Sequence, residues 1–258
     1  MSQQTTLVIG EGEIGLPIAN ILSNAYNVVT KDLAPIEDPG EIAVLHICYP
    51  FQIENFIETT INYIKTYAPK LTILHSTVIP GTTKKISEGI STPIIYSPVR
   101  GKHSKMTEEL LSLRKYLAST SKDGLTEAIK YLEQADFKTE TFSSVESLEL
   151  AKIQETTYFG LLIAWAQEME RYSDLLDADY DEVARFALAD NISYMPSVIF
   201  QPGFIGGHCV MPNIELLETI KSSPFLDAIK GSNELKRSEW LSKGEDLEKR
   251  LKPSDVEI

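Results

Sequence analysis

The apolar residues in the first half of this chain fall into short runs separated by stretches with helical spacing. Thr6–Gly10 reads as a short buried strand, followed by a glycine loop and an apolar helix through Ala25. Tyr26–Thr30 is a second strand ending at Asp32, and Ile42–Cys48 a third. Gln52–Tyr67 carries Ile53, Phe56, Ile57, Ile61 and Ile64 at helical spacing, and Leu71–His75 is a fourth strand. Pro93–Tyr96 and Lys115–Ala118 are shorter strands, followed by a helix near Gly124–Gln134 and a strand near Phe137–Phe142. Strands separated by helices predict an α/β fold with a doubly wound parallel sheet. Only about eleven residues, Leu33–Ala43, separate the second strand from the third, so a crossover helix there is very short and the sheet trimmed.

After Ser144 the pattern turns wholly helical, which divides the chain into residues 1–143 and an all-α part, 144–258. Glu146–Tyr172 reads as one long helix with no proline. One of its stripes is Tyr158, Leu162, Trp165, Met169 and Tyr172; another is Leu150, Ile153, Leu161 and Ala164. A helix apolar on two sides buries two sides, so it is expected to form a domain core, a homodimer contact, or both. Asp179–Ala189 is a second helix, the loop around Gly206 leads into Ile214–Ile220, and a charged helix closes the pattern before a loose tail, Leu251–Ile258.

Composition narrows the classes. With 43% hydrophobic and 24% charged residues among 258, the chain is expected to be globular, not disordered. A formal net charge of −13 repels nucleic acid and anionic membranes. The densest basic cluster, Lys84, Lys85, Arg100, Lys102, His103 and Lys105, suits one phosphate or carboxylate, not a duplex. Leu7-Val8-Ile9 is too short for a secretory signal, and Gly160 interrupts the longest apolar stretch, Tyr158–Ala166. Cys48 and Cys209 form no disulfide or zinc pattern, and His46, His75 and His208 have no metal-ligand spacing. A reducing cytoplasm and no metal are the expectations.

Candidate chemistry lies in several segments. Gly10-Glu11-Gly12-Glu13-Ile14-Gly15 follows a strand and opens a helix, the context of a Rossmann-type dinucleotide site. The glycines allow the tight turn, the approach of a pyrophosphate and close helix–strand packing, and Glu13 and Ile14 complete the loop. Asp32 ends the next strand, where a carboxylate accepts from both ribose hydroxyls and repels a 2′-phosphate; this favours NAD, with Lys31 as the opposing feature. Read alone, Asp32 is also a plain turn residue. Thr77 sits at a strand's C-terminal edge, where open sheets bind ligands, and Thr82 or Thr83 is expected to cap the next helix. Tyr49 and Pro50 are expected to wall the nicotinamide side.

Lys152 and Thr156 share a helix face, and the lysine either snorkels to water or faces a wet cleft. Arg100, Lys102 and His103 form a basic loop that grips a substrate anion or merely offsets nearby acid. Gly206-Gly207-His208-Cys209 presents a thiol that bulky neighbours cannot shield; the bland alternative is an incidental cysteine beside loop glycines. A nucleophilic thiol joined to a hydride acceptor points to oxidation of an alcohol or aldehyde through a thio-adduct.

Together these segments resemble the UDP-glucose/GDP-mannose dehydrogenase family, nearest its members acting on N-acetylated hexosamine nucleotides. The resemblance runs through Gly10–Gly15, Ser76-Thr77-Val78, Gly81-Thr82-Thr83, Arg114-Lys115-Tyr116, Glu149-Leu150-Ala151-Lys152 and Gly206-Gly207-His208-Cys209. It implies that Cys209 adds to an aldehyde, that Lys152 stabilises the oxyanion, and that Thr77 helps hold water or cofactor. Arg100, Lys102, His103, Gly206, Gly207 and His208 are the expected substrate contacts. The chain departs from the family at Thr156, where an asparagine is usual, and at Asn213, where an aspartate is usual. A glutamate expected after Ser97-Pro98 is replaced by Val99 and Arg100, and the family's third domain, which holds much of the nucleotide-sugar site, has no counterpart. The reading is an NAD-dependent oxidoreductase, homodimeric through residues 146–172, acting on a small hydroxylated or sugar-nucleotide-like molecule. The competing readings are a binding protein whose hydride chemistry has lapsed and a group-transfer enzyme using S-adenosylmethionine.

Overall fold

The computed structural model describes residues 5–101, 103–188, 200–207 and 209–242. They fall into two compact units, 1–152 and 153–258. The first unit is built on strands β1 (Thr5–Ile9), β2 (Asn27–Lys31), β3 (Ile42–Ile47), β4 (Leu71–Leu74), β5 (Ile94–Tyr96), β6 (Arg114–Ser119) and β7 (Lys138–Thr141). They line up in the order β2-β1-β3-β4-β5-β6-β7. All pairings are parallel except β5 with β6, an antiparallel step within the predicted parallel sheet. β1 is buried throughout and takes β2 and β3 on its two sides, as its all-apolar centre Leu7-Val8-Ile9 requires.

Helices α1 (Gly15–Leu22), α2 (Phe56–Tyr67), α3 (Thr82–Glu88), α4 (Met106–Ser112) and α5 (Lys122–Gln134) belong to this unit. Two apolar layers result. Val8, Val44, Ile73, Ile95 and Leu117 pack with α1, α4 and α5, whereas Leu7, Leu45, Ile47 and Leu74 pack with α2 and α3.

Three details correct the sequence reading. The link from β2 to β3 contains no helix at all: it passes β1 and starts a strand on the far side, leaving β2 at the sheet edge. α2 begins at Phe56, four residues later than Gln52, because Asn55 takes a left-handed conformation (φ 54°) that interrupts helical continuation. α4 was not foreseen; it is seven residues long and buries only Met106 and Leu110, too little to register as a periodic pattern.

A buried polar chain crosses the α5 side of this sheet. His75 Nδ1 lies 2.8 Å from the Ser97 carbonyl, which can only accept, so Nδ1 carries the proton. His75 Nε2 then accepts from His46 Nδ1 at 2.9 Å, and His46 Nε2 accepts from the Tyr131 hydroxyl at 3.0 Å. Burial, then the charge of Lys115, pushes His46 down to about 3 and His75 well below the ordinary histidine range. Both rings are neutral in the folded chain. Below about pH 6.5 the unfolded state therefore binds more protons, and stability falls as pH falls toward the folded pKa. The slope is about 1.4 kcal/mol per pH unit for each fully titrating ring. Glu149, whose carboxyl is raised by burial, opposes this only near the carboxylate range. The urea midpoint is expected to drop clearly between pH 7.5 and pH 5; an unchanged midpoint contradicts a neutral buried pair.

Helix α6 (Val145–Leu176) begins in the first unit and runs into the second, which adds α7 (Tyr180–Leu188), α8 (Val210–Ile220) and α9 (Pro224–Ser242). The core of the second unit joins Ile163, Ala164 and Ala166 of α6 to Phe200, Ile205, Val210, Ile214, Leu226 and Ile229. Of the two predicted α6 stripes, one has Ile153 and Ala164 buried and Leu150 and Leu161 half-buried, whereas in the other Tyr158, Trp165 and Tyr172 are each 58% exposed. The end of the predicted Asp179–Ala189 helix and the tail Leu251–Ile258 lie outside the described residues. No described helix is long and apolar enough to cross a membrane.

Candidate active site

The glycine loop sits at the C-terminal end of β1. Gly10 has φ 103°, and a Cβ on it would stand 2.9 Å from the backbone nitrogen of Tyr49. A Cβ on Gly15 would stand 1.7 Å from the Gly10 carbonyl oxygen, so the first turn of α1 rests directly on the loop. Gly12, by contrast, faces open space with nothing within 4 Å. Two glycines are thus needed for internal packing, and the middle one leaves room for an outside group. Glu13 is exposed and Ile14 is half-buried as the N-cap of α1. The N-terminal end of that helix favours an anion, and the residues present fit a dinucleotide's pyrophosphate.

Asp32 is exposed directly after β2. Its neighbour Lys31 is buried, and its ammonium donates to the Asp32 carbonyl at 2.6 Å and the Ala34 carbonyl at 2.9 Å while lying 5.8 Å from the centre of the Tyr63 ring. The cation that opposed the NAD reading is engaged with backbone and an aromatic face. Tyr49 is placed otherwise than expected. Its ring is buried against Phe56 at 5.3 Å and its hydroxyl meets Thr60 at 2.7 Å, so it offers the loop its backbone and not an aromatic wall. Pro50 beside it is exposed.

Thr77 is half-buried in the loop after β4. That loop is tied down at both ends. Ser76 donates to the Tyr49 carbonyl at 2.5 Å, and the buried carboxylate of Glu149 on α6 accepts from the Gly81 N–H (2.6 Å), the Thr83 N–H (2.9 Å) and the Thr83 hydroxyl (2.7 Å). Neither threonine caps α3. Thr82 donates to the Ile79 carbonyl at 2.7 Å and Thr83 to Glu149, while the N-cap is Gly81 in a left-handed conformation. The acidic side chain does the work because a carboxylate satisfies several helix-start donors at once, each worth about 1.5–3 kcal/mol.

After β5 the chain enters the basic loop. The guanidinium of Arg100 lies 5.7 Å from the centre of the Tyr116 ring. His103 opens a short 3-10 turn, and Lys102 lies outside the described residues. Lys115 on β6 is buried and donates to the carbonyls of Ser97 (3.1 Å) and Pro98 (3.3 Å), anchoring the start of this loop. Burial pushes its amine down to about 7, with the charge of Lys152 acting in the same sense. Burial pushes the Cys48 thiol the other way, up to about 12, which makes Cys48 a poor nucleophile at neutral pH.

In the helical unit, the loop 200–207 ends at Cys209, the exposed N-cap residue of α8. Gly206 is half-buried, Gly207 is exposed with φ 78°, and His208 lies outside the described residues. Asn213, one turn into α8, is buried, as is Thr156 on α6. Lys152 is half-buried and four residues before Thr156 on the same helix. A Cβ on Gly160 would stand 2.7 Å from Val210 Cγ1, so α6 and the first turn of α8 touch closely beside Cys209. The positive end of the helix dipole there favours an anion forming beside Cys209.

Sequence reasoning gave no role of their own to Lys115 and Glu149, and none to Gln167 and Asn233, buried polar side chains that hold these loops. The usable signal was weak: a lysine inside a strand and a glutamate between Leu148 and Leu150 on a buried helix face. A concavity of about 530 Å³ between α2 and the residues leading into β5 is lined by Ile64, Lys65, Glu88 and Thr92, and none of the predicted site residues lines it. It opens toward the N-terminal strand ends, opposite to where open α/β sheets bind ligands.

Residues 146–234 match the family described as UDP-glucose/GDP-mannose dehydrogenase, central domain. A UDP-N-acetyl-D-mannosamine dehydrogenase of Methanococcus maripaludis strain S2 is 24% identical over 284 residues, covering 88% of this chain. The chain spans 58–64% of the length of the curated relatives it matches. Among solved structures, a UDP-D-ManNAc dehydrogenase from Pyrococcus horikoshii has a TM-score of 0.79 at 20% identity, covering 95% of this chain and 72% of that one. The 3-hydroxyisobutyrate dehydrogenase of Mycobacterium tuberculosis has a TM-score of 0.68 at 14% identity, covering 93% and 94%. These structures share the fold, a Rossmann-type sheet followed by helices. Residues 146–234 of this chain are thus similar to the central domain of the UDP-glucose/GDP-mannose dehydrogenases, and the longer match to the Methanococcus maripaludis enzyme is 24% identical.

Proposed function

We propose that the chain is an NAD-dependent oxidoreductase that oxidises an alcohol or aldehyde group on a sugar-nucleotide-like or smaller hydroxylated substrate. The observation that carries this reading is Cys209, exposed at the N-cap of α8 two residues after a glycine pair, within the segment that matches the family's central domain. Support for the cofactor comes from the open space over Gly12, the exposed Asp32 and the engagement of Lys31 elsewhere. Gly10, Gly12, Glu13, Ile14 and Gly15 would hold the pyrophosphate and Asp32 the adenine-side ribose.

NAD, when bound, supplies the hydride acceptor for each oxidation. Cys209 Sγ adds to the aldehyde carbon, forming a C–S bond as the thiol proton passes to solvent. Lys152 balances the negative charge on the former carbonyl oxygen. After the second oxidation the adduct is a thioester; water adds to its carbon, the C–S bond breaks, the sulfur regains a proton and a carboxylate leaves. Thr77, Thr156 and Asn213 are assigned to hold that water or the substrate by hydrogen bonds, none of them being a strong base. Arg100, Lys102 and His103 are assigned to an anionic part of the substrate.

Thermal shift with NAD, NADP and S-adenosylmethionine tests the reading, because a ligand bound only by the folded state raises the melting temperature. NAD at one hundred times its Kd is expected to add about 2.7 kcal/mol. No shift with NAD, or a larger one with S-adenosylmethionine, ends it.

The exposed row Tyr158, Trp165 and Tyr172 recurs every seventh residue of α6 and supports a homodimer through this helix. Trp165→Glu is expected to convert a dimer to a monomer in sedimentation equilibrium. A wild-type protein already monomeric at micromolar concentration counts against it. The two cysteines, which form no disulfide with one another, suit a reducing compartment.

A further inference from the structure

The segment before Cys209 has no regular structure, yet its backbone is gripped by buried side chains from two helices. Asn233 on α9 is 3% exposed and pairs with the peptide of Ile205 on both sides: its Oδ1 accepts from the Ile205 N–H at 2.7 Å, and its Nδ2 donates to the Ile205 carbonyl at 3.0 Å. Gln167 on α6 is 0% exposed, and its Nε2 donates to the Gly203 carbonyl at 2.6 Å. The hydroxyl of Ser232 donates to Gln167 Oε1 at 2.8 Å, which sets the orientation of the amide.

Burying two amides in a helical core is costly unless each polar atom is matched. Here three of the four amide atoms are matched by the main chain of the loop, and the fourth, Gln167 Oε1, by Ser232. Apolar residues of similar size at 167 and 233 would fill the same space but leave the Gly203 and Ile205 peptides without partners. The arrangement therefore specifies where the loop lies. On the other side of Cys209, Val210 is pressed against α6 at Gly160.

We infer that Asn233, supported by Gln167, is a positioning residue for the nucleophile: it fixes the Gly203–Ile205 backbone and so holds Cys209 at the N-cap of α8. The inference rests on the proposed role of Cys209 but is read out without turnover.

In the native protein, hydrogen exchange at the Ile205 amide is expected to be at least tenfold slower than in an unstructured peptide, although the residue lies in a loop. Exchange at the unstructured rate overturns the proposal and needs no variant. Asn233→Asp removes the donor and sets a carboxylate against the Ile205 carbonyl, while its protonated form is isosteric with asparagine and donates again. With folding checked by circular dichroism, alkylation of Cys209 by iodoacetamide, followed by peptide mass spectrometry, is expected to be at least threefold slower than in wild type at pH 8. The ratio to wild type is expected to return toward one as pH is lowered through the new carboxyl's titration. If turnover is measurable, kcat falls at least tenfold while the KM for NAD changes less than twofold. An alkylation rate equal to wild type at every pH overturns the inference. Asn233→Asp with normal alkylation alongside a fully active Cys209→Ser is a different outcome, which removes the proposed chemistry as well.

Discussion

Replacing Cys209 by serine is expected to abolish carboxylate formation, by about a thousandfold or more, while alcohol–aldehyde interconversion persists. The asymmetry follows from the chemistry. Hydride removal from an alcohol needs no covalent partner. Oxidation of an aldehyde needs a tetrahedral adduct, and a serine hydroxyl is a much weaker nucleophile than a thiol without a base to activate it. The assay follows NADH formation from alcohol and from aldehyde separately, with any substrate that supports turnover. Equal loss of both steps would mean that the sulfur serves binding or packing and not addition. Cys48 does not confuse the result, because burial holds its thiol up to about 12.

Gly15→Ala and Gly12→Ala are expected to separate packing from cofactor approach. A methyl group at position 15 would lie 1.7 Å from a backbone oxygen, which cannot swing aside as a flexible side chain does. Either α1 or the Gly10 turn must move, at a cost of about 1–3 kcal/mol as an overpacked site. The displaced loop should weaken NAD about a hundredfold, as misplacement of about 1 Å does elsewhere. Position 12 has nothing within 4 Å, so alanine there should leave the melting temperature within a degree or two and still weaken NAD. Calorimetric binding with thermal melts checks both. A Gly12→Ala protein that binds NAD normally shows that the open space is not the pyrophosphate seat.

The strand and helix sequence of the first unit was legible because its buried strands are near-continuous apolar runs bounded by turn residues. β1, β3 and β4 were read within one or two residues of where they lie. The glycine loop was legible for the same local reason: a strand, three glycines and a helix start follow one another in a few residues. The link between β2 and β3 was legible only as too short. Its consequence, β2 left at the sheet edge with Lys31 pinned to its own turn, depends on strand order, which no local pattern encodes.

Side-chain roles diverged further. Tyr49 has the composition of an aromatic wall, yet its ring turns inward because Phe56 and Thr60 offer packing and a hydrogen bond on that side. Thr82 and Thr83 have the chemistry of helix caps, but a glutamate sixty-six residues away from Thr83 takes that place. Asn233 and Gln167 look like ordinary polar positions on amphipathic helices until their partners are seen to be loop peptides.

What the chain's order alone determined is therefore local and periodic: the run of strands and helices, the glycine turn, the cysteine after its glycine pair and the two apolar stripes of α6. Only the tertiary structure decided which stripe is covered, which strand is the edge, and which buried polar groups grip which loops. The physical reason is that periodicity records how much surface an element must bury, whereas a hydrogen bond between residues distant in sequence exists only once the core has brought them together.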